Sequence, residues 1–225
     1  MDPVTESGVA HLKLAWWAEE IQRLKGGSAV HPITSYLAAL PRAAVVDFDP
    51  LGAAVAAAAT QIGGAPLERR ADLEPQCRAL YGGPLALASR LAADVPDAAA
   101  LGDCTLAVAA GEYLARAIRD YRREAAAGRV PFAIDELLAA GIDNDDLAAV
   151  PPPAHLQSYL DGLQERAASY FEAAAQALPP AQRRAQRHLL VLAALGHRHL
   201  HGRHPLGERR FKDMLLAWTT ARRAH

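Results

Sequence analysis

Residues Gly111 to Leu147, GEYLARAIRDYRREAAAGRVPFAIDELLAAGIDNDDL, carry the clearest structural signals in the chain, and we call them the deciding stretch. Its pattern predicts one strong helix, a glycine stop, a short bend and a second helix. Gly128 suits the left-handed residue that follows a last helical turn, and Pro131 prevents the helix from simply continuing. The first of these two helices carries the residues on which the functional hypotheses depend.

Two carboxylates lie at the centre of this helix. Asp120 and Glu124 are four residues apart, so their side chains lie on one helical face. They fall at the edge of an apolar arc made of Leu106, Ala110, Tyr113, Leu114, Ala117, Ile118 and Tyr121. We expect the two acids to face an interior cavity. On the opposite side, meeting water, we expect Arg119, Arg122, Arg123 and Glu112.

Length and composition favour a single compact domain over residues 1–225. A chain of 24.0 kDa with 51% hydrophobic residues can fill a sizeable core. The sequence is rich in alanine and has no alternation of period two, which predicts helix nearly throughout, in about eight helices separated by glycine and proline. We therefore expect an all-α fold, with a helix over residues 8–25 and a break near Gly82-Gly83-Pro84.

Charge and hydropathy exclude several classes of partner. The formal charge is -1, with 24 basic and 25 acidic residues, so we expect no nucleic-acid partner. No stretch approaches 18 consecutive apolar residues, so we expect no transmembrane segment, and peripheral membrane contact stays open. No signal peptide is visible, and Cys77 and Cys104 lack metal-type spacing, so we expect a cytoplasmic protein with structural cysteines.

Two groups of residues resemble one enzyme family. The first group follows the order of the second acidic motif of the squalene and phytoene synthases: Arg119-Asp120, Glu124, Gly128-Arg129, Gly141-Ile142 and Asp145-Asp146-Leu147. The second is similar to a tryptophan-containing helix of bacterial members, with Leu14-Ala15-Trp16-Trp17, Glu19-Glu20, Gly27 and His31-Pro32. The chain departs from the family pattern at Glu124, where an Asp is usual, and at Arg116, where an Asn is usual.

The resemblance implies an all-α, single-domain helical bundle of the isoprenoid synthase type. It also implies Mg²⁺-dependent, head-to-head condensation of isoprenyl diphosphates. By the resemblance, Asp120 and Glu124 would be the catalytic, metal-binding acids, and Arg119 and Arg129 would bind the substrate diphosphate. No first acidic motif can be placed upstream, so the resemblance is to an N-terminally shortened, bacterial-type member that lacks this motif.

A second function stays open beside the enzyme. A degenerate relative would keep the scaffold and the apolar groove but lose the ionisation chemistry, and would act as a binding or assembly factor. Its ligand would be an isoprenyl diphosphate or another apolar-tailed molecule, with a protein partner also open. In that case Asp120 and Glu124 would only stabilise the helix or a partner contact.

Other acids and histidines are better explained by structure than by metal binding. Glu68 and Asp72 have two arginines between them, and Asp143-Asn144-Asp145 is typical of a helix cap. The histidine run contains His197, His199, His201 and His204, of which only His197 and His201 share a helical face. We therefore expect no physiological metal site at these positions.

Overall fold

A computed structural model of the protein describes residues 6–62, 65–200 and 206–224. Within these ranges the chain forms twelve α-helices and no β-strand, which confirms the all-α prediction. The helices are α1 Glu6–Lys25, α2 Pro32–Ala38, α3 Asp49–Ile62, α4 Leu73–Cys77, α5 Gly83–Ala92, α6 Ala98–Ala126, α7 Ile134–Ala140, α8 Asn144–Ala148, α9 Ala154–Ala177, α10 Pro180–Arg183, α11 Arg187–Leu200 and α12 Leu206–Arg223.

The long helix α6 is the centre of the bundle and packs against α9 and α11. The Asp97 side chain caps its start by accepting a hydrogen bond from the Ala100 N–H at 2.9 Å. The Phe171 ring of α9 lies between two glycines, so closely that an added Cβ would be 2.8 Å from it at Gly111 and 2.3 Å at Gly196. Small residues therefore allow the three helices to close around one buried ring.

The end of α6 matches the sequence prediction. Gly128 has φ +71°, a conformation that favours glycine, and the Arg129 N–H donates to the Glu124 carbonyl at 2.9 Å. Beyond the bend, α7 ends at Gly141 with φ +65°. Asp143 then caps α8 by accepting from the Asp146 N–H at 2.9 Å, as its position predicts. The bend and the second helix of the deciding stretch are thus confirmed.

The predicted break near Gly82-Gly83-Pro84 is wrong. The chain passes from α4 to α5 through a π-helical turn, Arg78–Gly82, without leaving helical geometry. Pro84 is tolerated because it lies in the first turn of α5, where a missing N–H costs little. A Cβ on Gly82 would lie 3.6 Å from the Leu106 backbone, so the turn packs directly on α6. Turns of this kind occur often at functional sites.

A buried carboxylate joins the first two helices. Glu20 of α1 is fully buried and accepts hydrogen bonds from the Val30 and His31 N–H groups, both at 2.9 Å, from Arg23 at 2.8 Å and from the Thr34 hydroxyl.

The predicted helix over residues 8–25 is confirmed as α1. Among the described helices, none is long and apolar enough to cross a membrane.

Candidate functional site

A cavity of about 1010 Å³ runs along one side of α6. Its walls come from α1, α3, the π-helical turn, α5, α6, α11 and the bend after Gly128. From Val108 to Glu124 the lining spans seventeen residues of α6, which corresponds to about 24 Å of helix. The volume lies at the upper end of the range for small-molecule pockets, roughly 300–1,000 Å³.

The two ends of the cavity differ in chemistry. The end near the start of α6 is apolar, with Leu80, Leu85, Val108, Ala109 and Leu192 in its walls. The end near the last turns of α6 is charged, and its walls include Arg116, Asp120, Arg123, Glu124 and Arg129. An elongated ligand with an apolar tail and a charged head would match this division.

The Asp120 carboxylate is held by two arginines. Arg119 donates to its two oxygens at 3.1 and 3.0 Å, and Arg123 approaches one of them at 3.2 Å. Only 14% of the Asp120 side chain is exposed. The hydrogen bonds from Arg119, together with both positive charges, hold the pKa of Asp120 below its usual value. Asp120 is therefore ionised and already paired.

Glu124 has the same kind of environment. Arg129 donates to one of its oxygens at 2.7 Å and Arg123 to the other at 3.2 Å. The hydrogen bond from Arg129 is the main reason that the pKa of Glu124 lies below its usual value. Arg123 thus bridges the two acids, and the five side chains form one chain of ion pairs in the order Arg119, Asp120, Arg123, Glu124, Arg129. We call this group the ion-pair chain.

Arg116 lies one turn before Asp120 and has a different partner. Its guanidinium donates to the Tyr81 hydroxyl at 3.2 Å and lies 5.6 Å from the centre of the Tyr81 ring. Among the described residues it forms no salt bridge with a carboxylate. Tyr81 belongs to the π-helical turn, so that turn positions a cation at the charged end of the cavity.

The predicted direction of Glu112 is wrong. It lines the cavity with Asp120 instead of pointing to the opposite side, and Arg123 lines it as well. Glu112, Arg116, Asp120 and Glu124 are spaced by four residues, so they share one face of α6, and the cavity covers that face. Burial raises the pKa of Glu112. Of the two predicted diphosphate-binding residues, Arg129 lines the cavity, whereas Arg119 holds Asp120 from outside its walls.

The donor set does not by itself fit Mg²⁺. This ion requires near-octahedral coordination by oxygen, with water and phosphate completing what carboxylates begin. No group of three potential metal-ligating side chains occurs among the described residues. Asp120 and Glu124 are each hydrogen-bonded by two guanidinium groups, which an entering cation would have to displace.

The other acids and histidines have structural partners. Asp72 accepts from the Arg69 N–H at 3.1 Å, and Asp143 caps α8. His199 lies 3.2 Å from an Asp213 oxygen, and His197 lies 3.6 Å from a Glu172 oxygen. His201 and His204 lie outside the described residues. Cys77 and Cys104 are free, buried thiols, and burial raises the pKa of each to about 12.

Sequence reasoning missed Tyr81 as a site residue and underrated Arg116 and Glu112. The four-residue spacing from Glu112 through Glu124 is a signal that could have identified Arg116 and Glu112. For Tyr81 the sequence held no such signal, because its position depends on a π-helical turn that the spacing of apolar residues does not predict.

The chain is similar to one known protein family in sequence and to two of its relatives in structure. The family model described as squalene/phytoene synthase matches residues 1–218. The crystal structure of a dehydrosqualene synthase in complex with ligand is similar with a TM-score of 0.72 at 12% identity, covering 99% of this chain and 81% of that one. The squalene synthase HpnC from Alicyclobacillus acidocaldarius gives a TM-score of 0.71 at 18% identity, covering 90% and 74% respectively. Among curated proteins, none matches the chain. At these identities the two structures show a common fold, the all-α fold of the isoprenoid synthases.

Proposed function

The chain belongs to the squalene/phytoene synthase family, and from this premise we propose that it binds an isoprenyl diphosphate, or a ligand of the same kind, in the cavity beside α6. One observation carries the proposal: a cavity of about 1010 Å³ that is apolar at one end and charged at the other. Burying an isoprenoid chain against Leu80, Leu85 and Leu192 would contribute roughly 25 cal/mol per Å² of apolar surface removed from water. Its anionic head would then lie at the arginines.

Prenyl transfer by the family's Mg²⁺-dependent reaction is the second candidate function. It is favoured by the position of Asp120 and Glu124, which are both ionised and both line the cavity. In that function the two acids would hold the ion, and Arg119 and Arg129 would bind the diphosphate. We rank it second because each acid is already paired with two arginines. The free, buried thiols of Cys77 and Cys104 support a cytoplasmic location for either function.

A cavity-filling substitution tests the binding proposal. Ala58 on α3 is half-buried and lines the cavity, so Ala58→Phe would place a ring in the volume that the tail needs. We expect calorimetric titration with farnesyl diphosphate to show binding that this variant weakens by about tenfold or more, which corresponds to ~1.4 kcal/mol. Ala56→Phe is the matched control, since Ala56 lies on the same helix, is exposed and does not line the cavity.

The outcome separates the two functions. Binding that is lost in Ala58→Phe and kept in Ala56→Phe, without release of diphosphate, supports a binding protein. Release of diphosphate from farnesyl or geranylgeranyl diphosphate in the presence of Mg²⁺ would establish the transferase instead. If farnesyl diphosphate does not bind at all to the folded protein, the proposed function is wrong.

A further inference from the structure

This inference rests on the proposed function and concerns how the head group is recognised. We infer that Arg116, Arg123 and Arg129 hold a phosphate or diphosphate head directly, with no divalent cation between the anion and the protein. The site would then be an arginine site for phosphate, placed where the family resemblance implies a magnesium site. The reasons are the charge balance at this end of the cavity, the unused donors of the three arginines and the pairing of the two acids.

The charge balance favours an anion over a cation. Three arginines line this end with the two carboxylates of the ion-pair chain, which gives a net charge of +1. Arg119 pairs with Asp120 from outside the walls and raises the charge to +2. Glu112 also lines the cavity and lowers this charge to +1 when it is ionised, but burial raises its pKa. A phosphate entering this end meets an excess of positive charge, whereas Mg²⁺ meets three guanidinium groups in the walls and a fourth, that of Arg119, behind them.

The three arginines keep donors free for a ligand. A guanidinium has five N–H donors. Within the described residues, Arg116 uses one nitrogen on Tyr81, Arg123 uses its Nη2 on both acids, and Arg129 uses only its Nε on Glu124. Both terminal nitrogens of Arg129 therefore remain for a bidentate contact with phosphate. Arg123 and Arg129 line the cavity, and more than half of each side chain is exposed, so a ligand can reach them.

The acids position these arginines in advance. Asp120 and Glu124 fix Arg123 from two sides, and Tyr81 fixes Arg116 by a hydrogen bond and by its ring. A donor that is already oriented loses little side-chain entropy when it binds an anion. The carboxylates would thus serve as positioning residues for guanidinium groups, and the chemistry of the site does not need them as metal ligands.

Titration calorimetry with and without metal tests the inference. We expect farnesyl diphosphate to bind the full chain in EDTA with an affinity similar to that in Mg²⁺, and farnesol to bind at least about tenfold more weakly. Farnesyl monophosphate distinguishes a phosphate site from one that requires a diphosphate. Binding that appears only with Mg²⁺ would overturn the inference and leave the proposed function standing. Equal affinity for farnesol and farnesyl diphosphate would also overturn it.

Two substitutions distinguish an arginine site from a metal site by the size of the change in binding that each causes. Arg116→Gln removes one donor and should weaken binding in EDTA by about tenfold or more. Its control is Arg122→Gln, which removes the same charge from the same helix but leaves the cavity unchanged, since Arg122 contacts Tyr121 and Ala149. Asp120→Asn removes a negative charge near the anion and also removes one carboxylate that positions Arg123. These effects have opposite signs, so binding in EDTA should change less than in Arg116→Gln. A loss in Asp120→Asn larger than that in Arg116→Gln, with a circular dichroism melting curve like that of the parent, would contradict the inference.

Failure of the inference can be told from failure of the proposed function. If neither farnesyl diphosphate nor farnesol binds in EDTA or in Mg²⁺, both proposals are wrong. If both ligands bind, and Ala58→Phe weakens both while Arg116→Gln weakens neither, only the arginine site is wrong.

Discussion

Replacing Gly196 with alanine should destabilise the bundle, because other side chains already occupy the space that a Cβ would need. A Cβ there would lie 2.3 and 2.4 Å from two atoms of the Phe171 ring and 2.7 Å from a Glu112 oxygen. The ring has little room to move, since the same ring edge also lies against Gly111, where a Cβ would be 2.8 Å away. Overpacking of a core costs about 1–3 kcal/mol, and a clash this close to a fixed ring belongs at the upper end.

The helix propensity of alanine offsets part of this cost, because glycine in a helix interior is about 1 kcal/mol less favourable. We therefore expect a net loss of about 2 kcal/mol in the free energy of unfolding. For a chain of this length the melting temperature should fall by about 4–8 °C. Urea unfolding followed by circular dichroism measures the change through the midpoint of the transition.

Gly162→Ala is the matched control. Gly162 lies inside α9, is exposed, and has nothing within 4 Å of an added Cβ. The same substitution should therefore stabilise the protein there, by about 0.5–1 kcal/mol. A Gly196→Ala variant as stable as the parent, or more stable, would refute the close packing of α6, α9 and α11 around Phe171.

Three further predictions concern ionisable groups. Burial by itself would raise the pKa of Glu20, but hydrogen bonds from Thr34 and from other donors lower it to about 2. The ionised Glu20 therefore stabilises the folded protein above the pKa it has in the unfolded chain, and this contribution is lost as the pH falls toward 2. Unfolding measured from pH 6 to pH 2 should therefore show a loss of stability that Glu20→Gln reduces, and an unchanged pH profile would contradict it. Asp120→Asn should cost only about 0.2–1 kcal/mol, because its arginine partners are largely exposed, and a larger loss in urea unfolding would show a deeper structural role. Cys77 and Cys104 should resist a thiol reagent at pH 8 in the folded protein, because burial raises the pKa of both to about 12, and rapid labelling would contradict it.

The sequence predicted the deciding stretch well because its signals are local. Gly128 has a positive φ, and Asp143 caps the following helix, as short-range backbone chemistry requires. The prediction of a helix break at Pro84 was wrong, because the effect of a proline depends on the hydrogen bonding of the turn before it. Pro84 indicates a break only if the preceding turn is α-helical, and the π-helical turn at Arg78–Gly82 removes that condition.

At the candidate site, too, the sequence predicts what depends on helical spacing and does not predict what depends on tertiary contacts. The spacing of Asp120 and Glu124 places both on one face of α6, and the structure brings both to the cavity. That spacing does not predict what they contact. Arg129 reaches Glu124 only because the chain turns back at Gly128, and Arg119 reaches Asp120 as its neighbour in sequence. Whether two carboxylates form a cation site or an arginine-paired group depends on these neighbours.

Of the departures from the family pattern, the one at Arg116 should affect ligand binding most. Its position normally carries an uncharged amide, as the resemblance implies, and a cation there changes what the end of the cavity attracts. The guanidinium lies against the Tyr81 ring, one helical turn from Asp120, and forms no salt bridge among the described residues. Returning this position to the family residue by Arg116→Asn would lower the net charge by one and remove the donor. If that variant loses binding of farnesyl diphosphate in EDTA but gains it in Mg²⁺, a single side chain determines whether this fold recognises the phosphate through arginine or through metal.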